Sequence, residues 1–431
     1  MKPYQITYNA DLSLQDKENE LVGKVTQQMD NAKSTGRYTT DFASIQLPFD
    51  QDYYTKTMHL LAQKKALKPA MLVVVGIGGS NLGALAIHEA LNGRWYNDTN
   101  PAMRIYFADT VDTAMLTALI ARMKVALEQQ QEILLVVISK SGTTTETIVN
   151  FYVLLEILKQ YRPDTYKDFV VAITDHNSVL FNLAQQHNYA CLAIPTKVGG
   201  RYSVFSAVGI FPLALLGIDT QQLLEGARNA ISDTLSAQID NDAATTARLL
   251  YQYYQRNYII HDHFIFFPDG ESIGRWYRQL MGESIGKEYN RQGQQVRVGI
   301  TPTVSIGSTD LHSVGQLYLG GPQYTFTSFL TRDYQQNLNV PNAAGALLGV
   351  PIGTVNRVMS AIEQGVQQAY KNIHKPFCHI KLSAVNEYTL GYLLQMYMMQ
   401  MIYLGYLLDV NPFDQPQVEL YKKETKRILH E

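Results

Sequence analysis

Several segments of the chain are apolar at nearly every position rather than at every second one. Met71-Leu72-Val73-Val74-Val75 is one, and Ile133 to Ile138 and Phe169 to Thr174 are others; Ile105-Tyr106-Phe107-Ala108-Asp109 completes the set. A strand with one wet face alternates apolar and polar residues, whereas a run apolar throughout has both faces covered. Helix-compatible stretches separate the runs, one from Ala114 and another over Thr145 to Leu158. Strand and helix in alternation predict a parallel sheet with helices on each side, over residues 70–216. A second unit begins near Gly217, with a strand at Phe264 to Phe267, a helix-prone Arg275 to Met281 and a strand at Tyr324 to Leu330. A long apolar helix from Ala384 to Leu408 is expected to cover it. Ahead of both units, residues 1–69 read as helical and polar, with breaks at Thr39-Thr40-Asp41 and Leu47-Pro48. The pattern therefore divides the chain into 1–69, 70–216, 217–409 and a terminal segment 410–431, whose charged part, Val418 to Glu431, reads as an exposed helix.

Composition narrows the classes. At 431 residues the chain is too long for one ordinary core. With 46% hydrophobic and 17% charged residues it has the means to bury a large core, and disorder is not expected. The net charge of −2, with no Lys/Arg block, argues against a nucleic-acid partner. Two cysteines, Cys191 and Cys378, are too few for a disulfide framework or a cysteine zinc site and suit a reducing compartment. Met1-Lys2-Pro3-Tyr4 has no apolar run behind it, so no signal peptide is expected and a cytoplasmic location is. Gly391 to Leu408 reaches membrane-spanning length. It carries Gln395, Gln400 and four tyrosines and lacks a flanking basic cluster, which predicts a helix buried in protein.

The candidate chemistry lies in the loops after the strands. Ser139-Lys140-Ser141-Gly142-Thr143-Thr144 joins a buried strand to a helix. Helix N-termini present free N–H groups and positive partial charge, and hydroxyls and a lysine beside them make a phosphate cradle. The plainer alternative is an N-cap in a Ser/Thr-rich turn. Gly76-Ile77-Gly78-Gly79-Ser80 departs from the dinucleotide pattern, because Asn81 stands at its final glycine, and lacks the Gly-Lys-Ser/Thr ending of an NTPase loop. Two Gly/Ser loops after parallel strands nevertheless point to a ligand at the strands' carboxyl ends.

Gln279, Glu283 and Lys287 recur every four residues and share a face if helical. A solvated ion-pair stripe explains them; so does a general base, since Gly282 and Gly286 leave room beside the Glu283 carboxylate. His312, in Ser308-Thr309-Asp310-Leu311-His312-Ser313, reads alone as an ordinary hydrogen-bonded histidine, and Lys422-Lys423 as a solvated helix face. His261-Asp262-His263 suggests a metal pair only superficially, because adjacent strand residues point to opposite faces and no spaced partner follows. No metal site and no cofactor are expected.

Taken in order, these segments resemble the glucose-6-phosphate isomerase family, in its shorter bacterial form, across nearly the full length. The resemblance is carried by Gly76-Ile77-Gly78-Gly79-Ser80, by Ile138 to Thr147, by Gly199-Gly200-Arg201-Tyr202-Ser203, by Gly282 to Lys287, by Thr309-Asp310-Leu311-His312, and by Phe413-Asp414-Gln415 with Val418-Glu419 and Lys422. It implies an α/β fold of two doubly wound, flavodoxin-like parallel-sheet domains of the sugar-isomerase (SIS) type, flanked by helices, and a homodimer. It also implies roles. Ser139, Lys140, Ser141, Gly142, Thr143 and Thr144 would hold a substrate phosphate, with Gly79 and Ser80 lining the sugar site. Gln279 and Gln415 would contact the sugar, and Arg201 would stabilise the enediolate. Glu283 would shuttle the proton, while His312 and Lys422 would assist ring opening, with His312 supplied by the partner subunit. Gln417 departs from the glycine usual in the terminal signature, Asn81 from a frequent aspartate, and Thr196 from the common entry to the Arg201 signature. A dual glucose/mannose phosphate isomerase on the same fold is one rival reading, though the Arg201 and Phe413 signatures resemble the conventional enzyme, and a non-catalytic sugar-phosphate sensor is another. The sensor would keep the Ser139 to Thr144 loop and has no use for Glu283, His312 and Lys422.

Overall fold

A computed structural model describes residues 2–431. Tertiary contacts divide them into two units, residues 28–228 and a second made of the chain's start, up to Gln27, with Asn229–Glu431.

The strands are, in chain order, β1 (Tyr4–Asn9), β2 (Pro69–Val75), β3 (Arg104–Ala108), β4 (Glu132–Ile138), β5 (Val170–Thr174), β6 (Ala190–Ala193), β7 (Ile260–Ile265), β8 (Lys287–Tyr289), β9 (Gln295–Val298), β10 (Thr301–Ile306), β11 (Thr325–Arg332) and β12 (Phe377–Leu382). In the unit of residues 28–228 the order is β3-β2-β4-β5-β6, parallel throughout. The alternating sides of its apolar runs separate cleanly. Val73, Val75, Leu135, Val137 and Ala172 face one helical layer that supplies Leu119, Met123, Phe151 and Leu155. Leu72, Val74, Leu134, Val136 and Ile173 face the other, where Val208, Phe211 and Leu215 stand. Helices on both faces explain why these strands are apolar at every position.

The second unit repeats the topology with β10-β7-β11-β12, all parallel, and adds β1 antiparallel at the edge. Numbered by chain order, both sheets run 2-1-3-4, the flavodoxin-like order. Residues 4–9, read from sequence as part of a helical segment, are instead this edge strand; the helices Asp16–Thr35 and Gln51–Ala66 follow it. β7 begins four residues before the apolar run that revealed it, because it opens on His261-Asp262-His263. These polar side chains are buried by hydrogen bonding: His261 Nε2 pairs with Ser328 Oγ at 2.7 Å and His263 Nε2 with Tyr397 Oη at 2.8 Å. Asp262 accepts from Thr303 and Ser305 at 2.7 and 3.0 Å. Burial holds both imidazoles neutral, down to about 3, and pushes Asp262 up to about 6.

The helix Glu387–Leu407 is buried on all sides. Its tyrosines spend their hydroxyls inside protein, Tyr397 on His263, Tyr403 on Thr26 and Tyr392 on Asp233. No helix among the described residues is long and apolar enough to cross a membrane. Cys191 and Cys378 are unpaired, and burial pushes their thiols up to about 11 and 12. The terminal helix Val418–Leu429 buries none of its residues, as its charge pattern predicts. Gln417 at its start has φ −68°, a conformation open to any residue, so the departure from glycine there strains nothing.

Candidate active site

In residues 28–228 the chain passes from β2 to β3 on one side and then crosses back to β4, so the winding reverses between β2 and β4. Open α/β sheets take ligands outside the carboxyl ends of such strands. The two loops there are Gly76–Ser80 after β2 and Ser139–Thr144 after β4.

The second loop is built to leave a helix end open. Thr144 stands at the N-cap of the helix Thr145–Tyr161 but makes no side-chain capping bond. Its hydroxyl lies 3.0 Å from that of Ser139, which also accepts from the Gly142 N–H at 3.1 Å. Gly142 has φ +70°, and a Cβ there would stand 2.6 Å from Leu180 N. Only glycine tolerates both the conformation and the contact. The loop is thereby closed on itself, while Ser141 and Thr143 remain exposed. Burial lowers the pKa of Lys140; nearby Lys197 and Arg201 push the same way and Asp175 opposes them. Such a concentration of cations favours a dianion beside the helix end.

Gly79 brings in Arg201. A Cβ on Gly79 would lie 2.2 Å from the Gly200 carbonyl carbon, so the two backbones touch only because position 79 has no side chain. Ser203 Oγ ties them further, donating to Gly200 O at 2.7 Å and reaching Gly79 O at 3.4 Å. Arg201, in the turn Gly200–Tyr202, is buried, with its guanidinium 5.2 Å from the Tyr202 ring centre. Asn81, at the frequent aspartate's position, is also buried and donates to Asp109 at 3.3 Å.

In the other unit the helix Glu271–Ile285 follows β7. Gln279 and Glu283 share its face as expected, and the Gln279 amide donates to the Glu283 carboxylate at 3.0 Å. The Gln279 carbonyl oxygen is buried without a partner among the described residues. Lys287 leaves the stripe the spacing suggested, because the helix ends at Ile285. Its ammonium turns back to the Glu283 carbonyl at 2.8 Å and to Asp414 Oδ1 at 3.0 Å. That contact brings the loop of Gln415, which is exposed, to the end of the Glu283 helix.

His312 is placed elsewhere. It closes the turn Thr309–His312 just after β10, exposed, and the turn is held by Asp310, which accepts from Ile306 N at 2.7 Å and Ser313 Oγ at 2.9 Å. Glu283 lies at the other end of that strand: its neighbour Gly282 packs against Pro302, near the strand's start. The length of β10, roughly 16 Å, separates them. Lys422 is on the exposed terminal helix, 2.7 Å from Glu419. Among the described residues no group of three or more His, Cys, Asp and Glu side chains is arranged to hold a metal ion. Sequence reasoning missed two hydrogen-bonding anchors, Lys287 at the end of the Glu283 helix and Asp310 in the His312 turn. Each sits inside a signature, and four-residue spacing pointed to Lys287 as part of a helix face only.

The family model described as Phosphoglucose isomerase matches residues 62–431. A glucose-6-phosphate isomerase of Leuconostoc mesenteroides is 33% identical over 96% of this chain and 92% of its own. One from Carboxydothermus hydrogenoformans is also 33% identical, over 89% and 84%. Among solved structures, a hypothetical protein of Thermus thermophilus superposes with a TM-score of 0.84 at 28% identity, covering 96% of this chain and 95% of its own. A glucose-6-phosphate isomerase of Chlamydia trachomatis, 20% identical over 100% and 89%, shares the fold with a TM-score of 0.79. On the matched family model and these relatives a third identical over nearly their whole lengths, the chain belongs to the phosphoglucose isomerase family.

Proposed function

We propose that the protein interconverts glucose 6-phosphate and fructose 6-phosphate by ring opening and proton transfer between C2 and C1. The substrate phosphate rests on Ser139, Lys140, Ser141, Gly142, Thr143 and Thr144, where hydroxyls and N–H groups of the open helix end meet the dianion. Gly79 and Ser80 line the sugar site, and Gln279 and Gln415 contact sugar hydroxyls. His312 and Lys422 assist ring opening. The Glu283 carboxylate takes the C2 proton of the open-chain aldose. The electron pair left on C2 joins C1 as the carbonyl π electrons move onto O1. Arg201 opposes the charge on this enediolate, which is worth a few kcal/mol in a site shielded from water. Return of the proton to C1, with a hydrogen shift between the oxygens, gives the ketose. No redox cofactor or Lewis acid enters this sequence, and activity is expected to survive exhaustive chelation in a direct assay.

The observation that carries the reading is the held carboxylate of Glu283. It accepts from Gln279 at 3.0 Å, and the buried Gln279 carbonyl oxygen beside it has its acceptor capacity unused. A sensor has no need of a positioned base.

The protein acts as a homodimer in which His312 serves the second copy's site. The separation of His312 and Glu283 along β10 supports this, as do the exposed Leu317 and Leu319 on the helix that follows His312. A reducing, cytoplasmic setting fits the two unpaired thiols.

Glu283→Gln tests the base. It keeps the shape and removes the proton acceptor, so kcat is expected to fall at least ~10²-fold with KM little changed. Substrate deuterated at C2 should pass part of its label to C1 in the parent enzyme. A folded variant near full activity would sink the assignment.

A further inference from the structure

Lys287 begins β8, two residues beyond the end of the Glu283 helix, and its side chain is 4% exposed. A buried ammonium is costly unless each N–H finds an acceptor and a negative group stands near. Three acceptors are in place: the Glu283 carbonyl at 2.8 Å, the Asp414 carbonyl, and Asp414 Oδ1 at 3.0 Å. The first is ordinary capping, since a helix leaves its last carbonyls unpaired and a cation there is favourable. The other two go beyond capping. Asp414 precedes Gln415 directly and sits in a turn tied by two hydrogen bonds: Asn411 Nδ2 donates to Asp414 Oδ2 at 2.9 Å, and Phe413 N donates to Asn411 Oδ1 at 3.0 Å. Glu283 is thus held twice, its carboxylate by Gln279 and its carbonyl by a lysine that also holds the terminal loop.

We propose that Lys287 is a positioning residue for the isomerisation, bridging the helix end that bears Glu283 to the Asn411–Asp414 turn so that the base and Gln415 keep one spacing. The inference rests on the isomerase reading above. Lys287 touches no reacting atom. Its effect comes through geometry, and in a proton transfer a displacement of about 1 Å is enough to cost orders of magnitude in rate.

Capping and bridging are separated by two variants and two substrates. Lys287→Met keeps the aliphatic stem and removes the three donors. Asp414→Ala removes the loop's half-exposed carboxylate, with its bonds from Lys287 and Asn411, and leaves the bond from Lys287 to the Asp414 carbonyl. Fructose 6-phosphate requires ring opening. In 5-deoxyfructose 6-phosphate the C5 hydroxyl is missing and O6 is phosphorylated, so the ketose stays open and exchange of its C1 proton reports Glu283 alone. Lys287→Met is expected to lose tenfold or more in kcat on fructose 6-phosphate, with KM within about twofold, and to lose proton exchange on the open ketose as well. Asp414→Ala should lose part of its turnover of fructose 6-phosphate and keep exchange on the open ketose near the parent rate, because the loop is loosened while Lys287 still holds the Glu283 carbonyl. A purely capping lysine would lower the melting temperature of Lys287→Met and leave kcat of the folded protein unchanged; that result overturns the proposal. So does a raised KM at parent kcat, or an Asp414→Ala variant equal to the parent on both substrates, which decides the matter even if Lys287→Met does not fold. Glu283→Gln on the open ketose is the control. Normal exchange there removes the assignment of Glu283 as the base, whereas its loss beside an unaffected Lys287→Met removes only the bridge.

Discussion

The two units use one strand order for different purposes. In residues 28–228 the sheet is aliphatic on both faces, and its functional loops are fixed by absence of side chains: Gly142 against Leu180 and Gly79 against Gly200. On the proposed reading it supplies N–H groups, hydroxyls and cations to the substrate phosphate, none of which has to change protonation. The second unit buries His261, Asp262 and His263 in the middle of its sheet and carries the acid–base candidates at its margins, on a helix end, a turn and an exposed terminal helix. In the proposed reaction, phosphate binding falls to residues 28–228 and proton transfer to side chains of the second unit.

The sharpest way to break this contrast uses the two ends of β10. Glu283→Gln and His312→Ala are each expected to be nearly inactive on fructose 6-phosphate. Mixed one to one and reassembled, half the dimers are hybrids with one site intact, so activity should return to about a quarter of the parent's. Failure of the mixture to recover, with hybrids shown to form, would mean that His312 serves its own chain's site or none.

A smaller effect is expected at the phosphate loop. Replacing Ser141 and Thr144 together by alanine should raise KM for fructose 6-phosphate about tenfold or more, since bonds to a dianion are charge-assisted. Free fructose should be a poor substrate for the parent. If kcat fell while KM held, the loop would belong with the chemistry and the division between the units would fail.

A modest difference in acid stability is expected from the same buried residues. His261 and His263 are held neutral down to about 3 against an ordinary 6.5. Below about pH 6.5 the unfolded chain takes up protons that the folded chain refuses, so stability falls as pH drops toward 3, by about 1.4 kcal/mol per pH unit for each histidine. Asp262, raised to about 6, acts oppositely between about pH 4 and 6, because the folded form then binds its proton first, and it offsets part of the loss. Melting curves at pH 7 and pH 5 should therefore converge in His263→Gln relative to the parent. Equal pH dependence in the two would show that this buried polar strip does not set the acid limit.

The unequal legibility of the two sheets has the same cause. β2, β4 and β5 announce themselves because burial on both faces demands apolar side chains at every position. β10 carries Pro302 and Thr303, and it is an edge strand, where a proline is tolerated. β7 hides its first half behind three ionisable residues whose partners, Ser328, Tyr397, Thr303 and Ser305, lie on β11, the long helix and β10. No local window contains those partners. The same holds at the site. The Ser139–Thr144 loop is contiguous and readable, and the Gln279–Glu283 pair follows from helical spacing. Lys287 looks like one more residue of that helix until Gly286 ends it.

By itself, then, the sequence determined the alternation of buried strands and helices, the hydroxyl-rich Ser139–Thr144 loop between a strand and a helix, the family, and the shared face of Gln279 and Glu283, because each depends on neighbours in the chain or on a helical turn. Tertiary structure decided that residues 4–9 are an edge strand paired with β12, that His261, Asp262 and His263 are buried core residues each held by a hydrogen bond to a distant element, and that His312 lies a strand's length from Glu283. It also decided that Lys287 reaches Asp414 across 127 positions of sequence. Each of these depends on which distant backbone supplies the hydrogen-bond partner, and a buried polar group is stable only when that partner is in place.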